Sequence, residues 1–501
     1  MLFNFQILDL SCGFCLGAFE HFRATLHELS YHNNVCLLAT YTNVNLTRHR
    51  LIHALEQTIR QHPALSVQVT SAELARPYFV QLQSIDLDKV IEFVDLPGIG
   101  DERATRVDEI LSAQHSLGFY NKEEPLWRVL VLNYKDLDGK ISVFKTDIAF
   151  IWHHVIGDGK SGLAVHNTIL QALKSPYCHL TCFSPVQGSE SAQSDEKECP
   201  TKIIITRLHN ELFPSLEQIF TMPASRSTFF NKLLGTWLGL YLRGRSPKQL
   251  EARKWSAAPY SDEIPINTLV RHIIIPKSST KSLVALCNLN GTTITAFLLA
   301  IIAWVISVYY HRMSLRCATA ISLRRFMEPK LGIGEQEMGL WVSAFYFNLE
   351  ADELQGIDGK EESVWGLARR NSERIKQEIG KRDTDLGIGS LRYIPDFRQD
   401  LKAKIGKERE VSFGLTNLGV FNGKLITDGE CENKDGIASI EKIIFSQSCH
   451  VNGSALQFHV ISVRDEEMTI GVSWQEGIVS IRDAEYVTYA LQAELIKFSK
   501  V

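Results

Sequence analysis

Residues 151–162 read IWHHVIGDGKSG, and His153, His154 and Asp158 within them carry groups able to do chemistry. A neutral imidazole, with an ordinary pKa of ~6.5, can take a proton from a hydroxyl or an amine at cellular pH. GDGKS resembles a phosphate loop, but that motif needs a glycine five positions before Gly159, where this chain has His154. A metal needs three or four suitable ligands. Adjacent strand residues point to opposite faces, so His153 and His154 are not expected to share an ion, and no metal is expected. A buried, satisfied histidine beside an Asp-Gly turn is the plainer alternative, because HxxxD arises easily by chance in a chain with 16 histidines. The motif's position, where an apolar strand gives way to a helix, favours chemistry.

His154 is therefore read as a general base. Asp158 is costly to bury alone and needs a partner, so it is expected to fix the loop and the imidazole and not to touch substrate. Gly159 is expected to give the turn a positive φ. No G-x-S-x-G elbow and no cysteine in a recognisable nucleophile motif occurs, which leaves direct transfer without a covalent enzyme intermediate.

Several elements must hold this motif. RHRLIHALEQTIRQHPALSV (48–67) puts Leu51, Ile52, Leu55 and Ile59 on one helical face, with Pro63 as the stop and ALSVQV as the next strand. LWRVLVLNY (126–134) reads as a buried strand, and ISVFKTDIAFIWHH (141–154) as one or two strands ending at the histidines. KSGLAVHNTILQALKS continues as a helix with Ser161 as N-cap. Residues 183–203 are Ser- and Glu-rich and read as a surface loop. The pattern then restarts: RHIIIP as a strand, STKSLVALCNLNG as a helix, and TTITAFLLAIIAWVISVYYHR as a long apolar helix. IIFSQSC, ALQFHVISVR and MTIGVSWQEGIVSI alternate like antiparallel strands, and DAEYVTYALQAELIKF closes the chain as an amphipathic helix.

The chain has 501 residues, 45 % hydrophobic and 22 % charged, the balance of a folded globular protein. Its formal net charge is −4 with no basic block, so nucleic acid is not an expected partner. Ten irregularly spaced cysteines, with one CxxC at Cys12 and Cys15, suggest neither a disulfide framework nor a zinc ribbon. MLFNFQILDLSCGF lacks a basic leader segment, so the expectation is a reduced, cytoplasmic chain. Ile294–Tyr310 sits at the short end of a bilayer span and is interrupted by Thr295, Trp304 and Ser307, which favours a buried helix. FFNKLLGTWLGLYLRGR (229–245) fits a core helix, or a segment lying on the surface of a membrane such as the endoplasmic reticulum or a lipid droplet.

HHVIGDG matches the HHxxxDG signature of the coenzyme A-dependent acyltransferase superfamily, which includes chloramphenicol acetyltransferases and condensation domains. LGAFEHFRATLHELSYHNNVCLLATY (16–41), HPALS (62–66), PLWRVLVL (125–132), GTTITAFLLAIIAW (291–304), ISLRRF (321–326), MGLWVSAF (338–345), LTNLGVF (415–421) and FSQSCHVNGSALQFHVISV (445–463) narrow the likeness. In that order they resemble the fungal alcohol acetyltransferase family over nearly the whole chain.

The resemblance implies an α+β fold of two chloramphenicol-acetyltransferase-like halves, with mixed sheets flanked by helices and the site in a tunnel between them. The halves are expected at residues 1–205 and 269–501, with a crossover at 206–268. It implies acetyl-CoA or another acyl-CoA as co-substrate, no permanently bound cofactor, an alcohol acceptor, His154 as base and Asp158 as a structural residue. It pairs Asp158 with Arg324, or with adjacent Arg325; a buried carboxylate independently asks for such a partner. His153 and Gly159 would support the site. The family's Ser-Asn-Leu-Gly is Thr416-Asn417-Leu418-Gly419 here, and Thr416 and Asn417 could serve an oxyanion or form a strand-end turn. Trp152 and Trp341 could line the tunnel, with core packing preferred. Two halves in one chain suggest a monomer. N-acylation of an amine such as a sphingoid-like base, and a condensation-fold binding protein without transfer, are the competing functions.

Overall fold

The strand that delivers the histidines, Ile141–Trp152, is a single element in a five-stranded sheet. The computed structural model describes residues 13–74, 76–96, 100–135, 141–174, 201–204, 212–220, 254–311, 313–356, 361–381, 387–424 and 438–500. The expected amphipathic segment at 229–245 and most of the expected loop at 183–203 lie outside the described residues; Lys202–Ile204 forms a strand against Ser84–Asp86.

The five strands run in the order Ser439–Gln447, Val35–Thr42, Ile141–Trp152, Trp127–Lys135 and Ile91–Leu96. Ile141–Trp152 is antiparallel to both neighbours, with Trp152 opposite Val35 on one side and Trp127 on the other. Ile148, Ala149, Phe150, Ile151 and Trp152 are all buried, since helices cover both faces, so this end of the strand is a continuous apolar run. The Arg48–Gln61 helix packs its Leu51, Leu55 and Ile59 stripe into the same core as the Gly159–Lys174 helix. Pro63 ends the first helix as expected, but Pro63–Ser66 then forms a short 3₁₀ turn, leaving only Val67–Val69 as strand.

The second sheet has six strands, in the order Thr268–Ile275, Met468–Gln475, Leu456–Val463, Phe413–Phe421, Leu315–Ser322 and Val342–Leu349. It is mixed: Phe413–Phe421 runs parallel to both its neighbours. The apolar Ile294–Tyr309 helix, capped by the Thr293 hydroxyl on Ala296 N–H, is the centre of this half and packs against Glu361–Gly380 and Ile481–Phe498. Eleven of its side chains are buried in the protein. No single described helix is long and apolar enough to cross a membrane, although Lys277–Leu289 and Ile294–Tyr309, bent by 101°, pass such a test as a pair.

Two sheet-bearing halves are thus present. One strand from late in the chain, Ser439–Gln447, crosses over and completes the first sheet beside Val35–Thr42. Its Ile443 and Phe445 join Leu37, Trp152 and Val165 in one core. A second tie links the Asp101–His115 helix to strand Thr268–Ile275, where Asp108 Oδ1 meets His272 Nδ1 at 2.5 Å and Ser112 Oγ accepts from Val270 N–H. The halves are locked by polar and apolar contacts together.

Candidate active site

Six buried residues, 153–158, link the end of strand Ile141–Trp152 to the next helix, which starts at Gly159. His153 still belongs to the strand edge, its N–H donating to Leu126 O at 2.8 Å. The Gly157 carbonyl then accepts from Trp152 Nε1 at 2.9 Å and from His154 Nδ1 at 3.1 Å. A carbonyl only accepts, so His154 Nδ1 carries the hydrogen, and Nε2 is left with a free lone pair. The imidazole is 7 % exposed and lies on the wall of a cavity of about 590 Å³. Burial, and after it the positive charge of Arg23, holds its pKa well below the ordinary 6.5. The neutral, base-competent form is therefore the resting form.

His153 is turned elsewhere. Its Nδ1 accepts from Val155 N–H at 2.9 Å, and its ring lies 4.3 Å from that of His27 and 6.3 Å from that of Phe119, away from the cavity wall. The two adjacent imidazoles thus hold opposite tautomers on opposite sides of the strand end.

Asp158 is engaged on both oxygens. Oδ2 accepts from Arg324 Nη1 at 2.7 Å and from Trp341 N–H at 3.1 Å. Oδ1 accepts from the backbone N–H and the hydroxyl of Ser161, each at 3.2 Å. The carboxylate is thus the helix cap; Ser161, expected in that role, lies within the first turn and ties to Gly339 instead. Arg324 also donates to Glu337 O at 3.2 Å and lies over the Trp341 ring. Its neighbour Arg325 is exposed and rests on Phe326, so Arg324 is the partner. The pair is almost fully buried, where separation would leave an uncompensated charge.

Gly159 corrects a sequence expectation. Its φ is not positive. Its role is close approach: a Cβ there would come 2.7 Å from Leu418 Cδ2 and 3.1 Å from Phe445 Cζ. The residue that does need positive φ is Gly419, at +83°, beside a bulge after Asn417.

Thr416 and Asn417 line the same cavity as His154. The Asn417 amide donates to Thr295 Oγ1 at 3.0 Å, and its oxygen accepts from Gly419 N–H at 2.8 Å, so it shapes the bulge. Trp152 and Trp341 are core residues, fully buried behind the wall, with Trp341 Nε1 donating to Pro214 O. Three wall residues that sequence reasoning missed are Arg23, His32 and His450. They converge from the Ala18–Glu28 helix and from the turns after it and after Ser439–Gln447, and no spacing in the sequence relates them. Among the described residues no group of three or more His, Cys, Asp or Glu is arranged to hold a metal.

A hydroxyl brought to His154 Nε2 inside this cavity could lose its proton there and attack an electrophilic carbon held from the other side. The likeness to known proteins agrees with that chemistry. Residues 15–498 match the family model described as alcohol acetyltransferase. The probable alcohol acetyltransferase crmB of Aspergillus fumigatus is 25 % identical, over 92 % of this chain and 95 % of the relative. The probable alcohol acetyltransferase FCK4 of Fusarium pseudograminearum is 24 % identical, over 96 % of this chain and 94 % of the relative. Among solved structures, the TRI3 trichothecene 15-O-acetyltransferase of Fusarium sporotrichioides superposes with a TM-score of 0.68 at 12 % identity, over 97 % and 94 % of the two chains. That is the two-halved acyltransferase fold expected from the resemblance. The chain belongs to the alcohol acetyltransferase family, and it is an acyltransferase.

Proposed function

We propose that the protein transfers an acetyl group from acetyl-CoA directly to the hydroxyl of an alcohol acceptor, with His154 as general base. The observation that supports this best is the pinned tautomer: Nδ1–H is spent on the Gly157 carbonyl, and the free Nε2 belongs to a ring on the cavity wall. In the step we envisage, Nε2 takes the acceptor's hydroxyl proton as its oxygen attacks the thioester carbon. The tetrahedral intermediate collapses with cleavage of the C–S bond, and the departing thiolate recovers the proton from Nε2. Thr416, which lines the same cavity as His154, is our candidate to donate a hydrogen bond to the oxyanion. Asp158 and Arg324 act by holding the turn that carries His154.

The test is release of free coenzyme A thiol from acetyl-CoA by the purified protein, in the presence of a panel of primary and secondary alcohols and of matched amines. Mass spectrometry of the products identifies the acetylated compound. Thiol release dependent on alcohols and absent in His154→Ala supports the reading. Acetylation of the amines alone would replace it with N-acylation, and no transfer to either class would leave only binding.

A further inference from the structure

Three side chains near His154 carry buried polar atoms that have no partner. His32 is 4 % exposed, and its Nε2 makes no hydrogen bond; neither does Nδ1 of His450 nor Nε of Arg23. All three residues line the cavity that holds the base. The His32 ring lies 5.6 Å from the ring of His154 and 5.7 Å from that of His450. Arg23 lies over the Phe19 ring at 5.1 Å. No described carboxylate pairs with it within 4.0 Å, although Asp400 and Glu410 line the same cavity.

The mechanism uses none of these atoms. Leaving buried polar groups unpaired is unfavourable unless a partner arrives with the ligand. A guanidinium only donates, and it matches a carboxylate geometrically. Arg23 shares the cavity with His154, and its charge acts on His32, His154 and His450. The phosphates of coenzyme A are separated from its thioester by the whole pantetheine arm, so a cation here faces the reacting end and not the phosphates.

We propose that Arg23, His32 and His450 form a subsite that binds a carboxylate carried by the acceptor, so that hydroxy acids are preferred to plain alcohols. This rests on the acyl-transfer reading for its substrate role, but binding can be measured without transfer.

Calorimetry without acetyl-CoA would compare mandelate and para-(hydroxymethyl)benzoate with their methyl esters, on wild type, Arg23→Gln and Arg23→Lys. The expected result is a preference of about tenfold or more for at least one acid over its ester in wild type. That preference should vanish in Arg23→Gln and survive in part in Arg23→Lys, which also shows that the site still folds. Equal binding of acids and esters to wild type overturns the proposal. Kinetics then separate the sources. A KM increase confined to the acids supports the proposal. A KM increase for acetyl-CoA alone would assign Arg23 to the donor, and an equal fall in kcat for acids and esters would assign it to the oxyanion; either overturns it. An Arg23-dependent acid preference in binding, without acetyl transfer to any of the four compounds, would leave the subsite standing and count against the reaction.

Discussion

Arg324 Nη1 donates to Asp158 Oδ2 at 2.7 Å, joining the start of a helix in the first half to the end of a strand in the second. Both side chains are at most 4 % exposed, and the carboxylate also caps its helix through Ser161 and accepts from Trp341 N–H. One group thus sets the turn that carries His154 and the seam between the halves. Asp158→Asn is expected to lower both melting temperature and transfer, since breaking one side of a buried pair costs ~3–5 kcal/mol. Arg324→Ala should behave alike, and the double variant should lose less than the sum. Denaturant unfolding measures this cycle. Strict additivity would mean that the two residues act separately, and wild-type stability with lost activity would give the carboxylate a direct chemical role.

His154→Ala is expected to reduce kcat by ~10²–10⁴-fold while the fold is retained, because the ring's one hydrogen bond is local, to Gly157 three residues on. His153→Ala removes a ring packed against that of His27, 4.3 Å away, and turned from the cavity. It should lower the melting temperature more than it lowers kcat. Steady-state kinetics with melting curves on both variants decide the matter, and exchanged phenotypes would move the base to His153.

The sequence announces His154, the base we propose, and Asp158 because strand end, turn and helix start are contiguous there. Arg324 was reachable because the family resemblance points to ISLRR, and a buried carboxylate independently asks for a cation. Arg23, His32 and His450 were not, since their meeting depends on packing between segments some 420 residues apart in the chain, as for His32 and His450. Alternation identifies Ser439–Gln447 as a strand but not its partner, and it lies in the sheet of the other half. Met468–Gln475 is buried along its whole length, so periodicity reports there neither a face nor a neighbour. Ser161 was misread as the cap because a serine ahead of an apolar stripe is an ordinary cap, whereas here Asp158 both caps and pairs.

Gly159→Ala is expected to impair transfer more than stability. The added Cβ would meet Leu418 Cδ2 at 2.7 Å, and Leu418 lines the cavity, so its flexible end can swing into that space. Overpacking in a closed core costs about 1–3 kcal/mol, and the adjacent space should bring this below about 1 kcal/mol. The intruding leucine narrows the room beside His154, so KM should rise. An early melting transition with unchanged KM would show that Phe445, 3.1 Å from the added atom, blocks that escape.

Lowering the pH should unfold the protein before it silences the base. Burial holds His27, His115 and His459 at pKa values of about 3, and His62 and His166 at about 4, against an ordinary 6.5. An unfolded chain protonates these rings near 6.5, while the folded chain keeps them neutral. Between those values the unfolded state binds more protons, so stability rises with pH across the window and is lost as pH falls below 6.5. Each ring contributes up to ~1.4 kcal/mol per pH unit there. His154 is depressed in the same direction, so its ring, the base we propose, stays neutral in the folded enzyme. Melting temperature should therefore fall steadily from pH 7 to pH 5, while initial rates per folded molecule show no acid limb near 6.5. Initial rates that titrate near the ordinary histidine value, with melting unchanged over the same range, would mean that the reactive imidazole is solvated and that the buried rings do not govern acid stability.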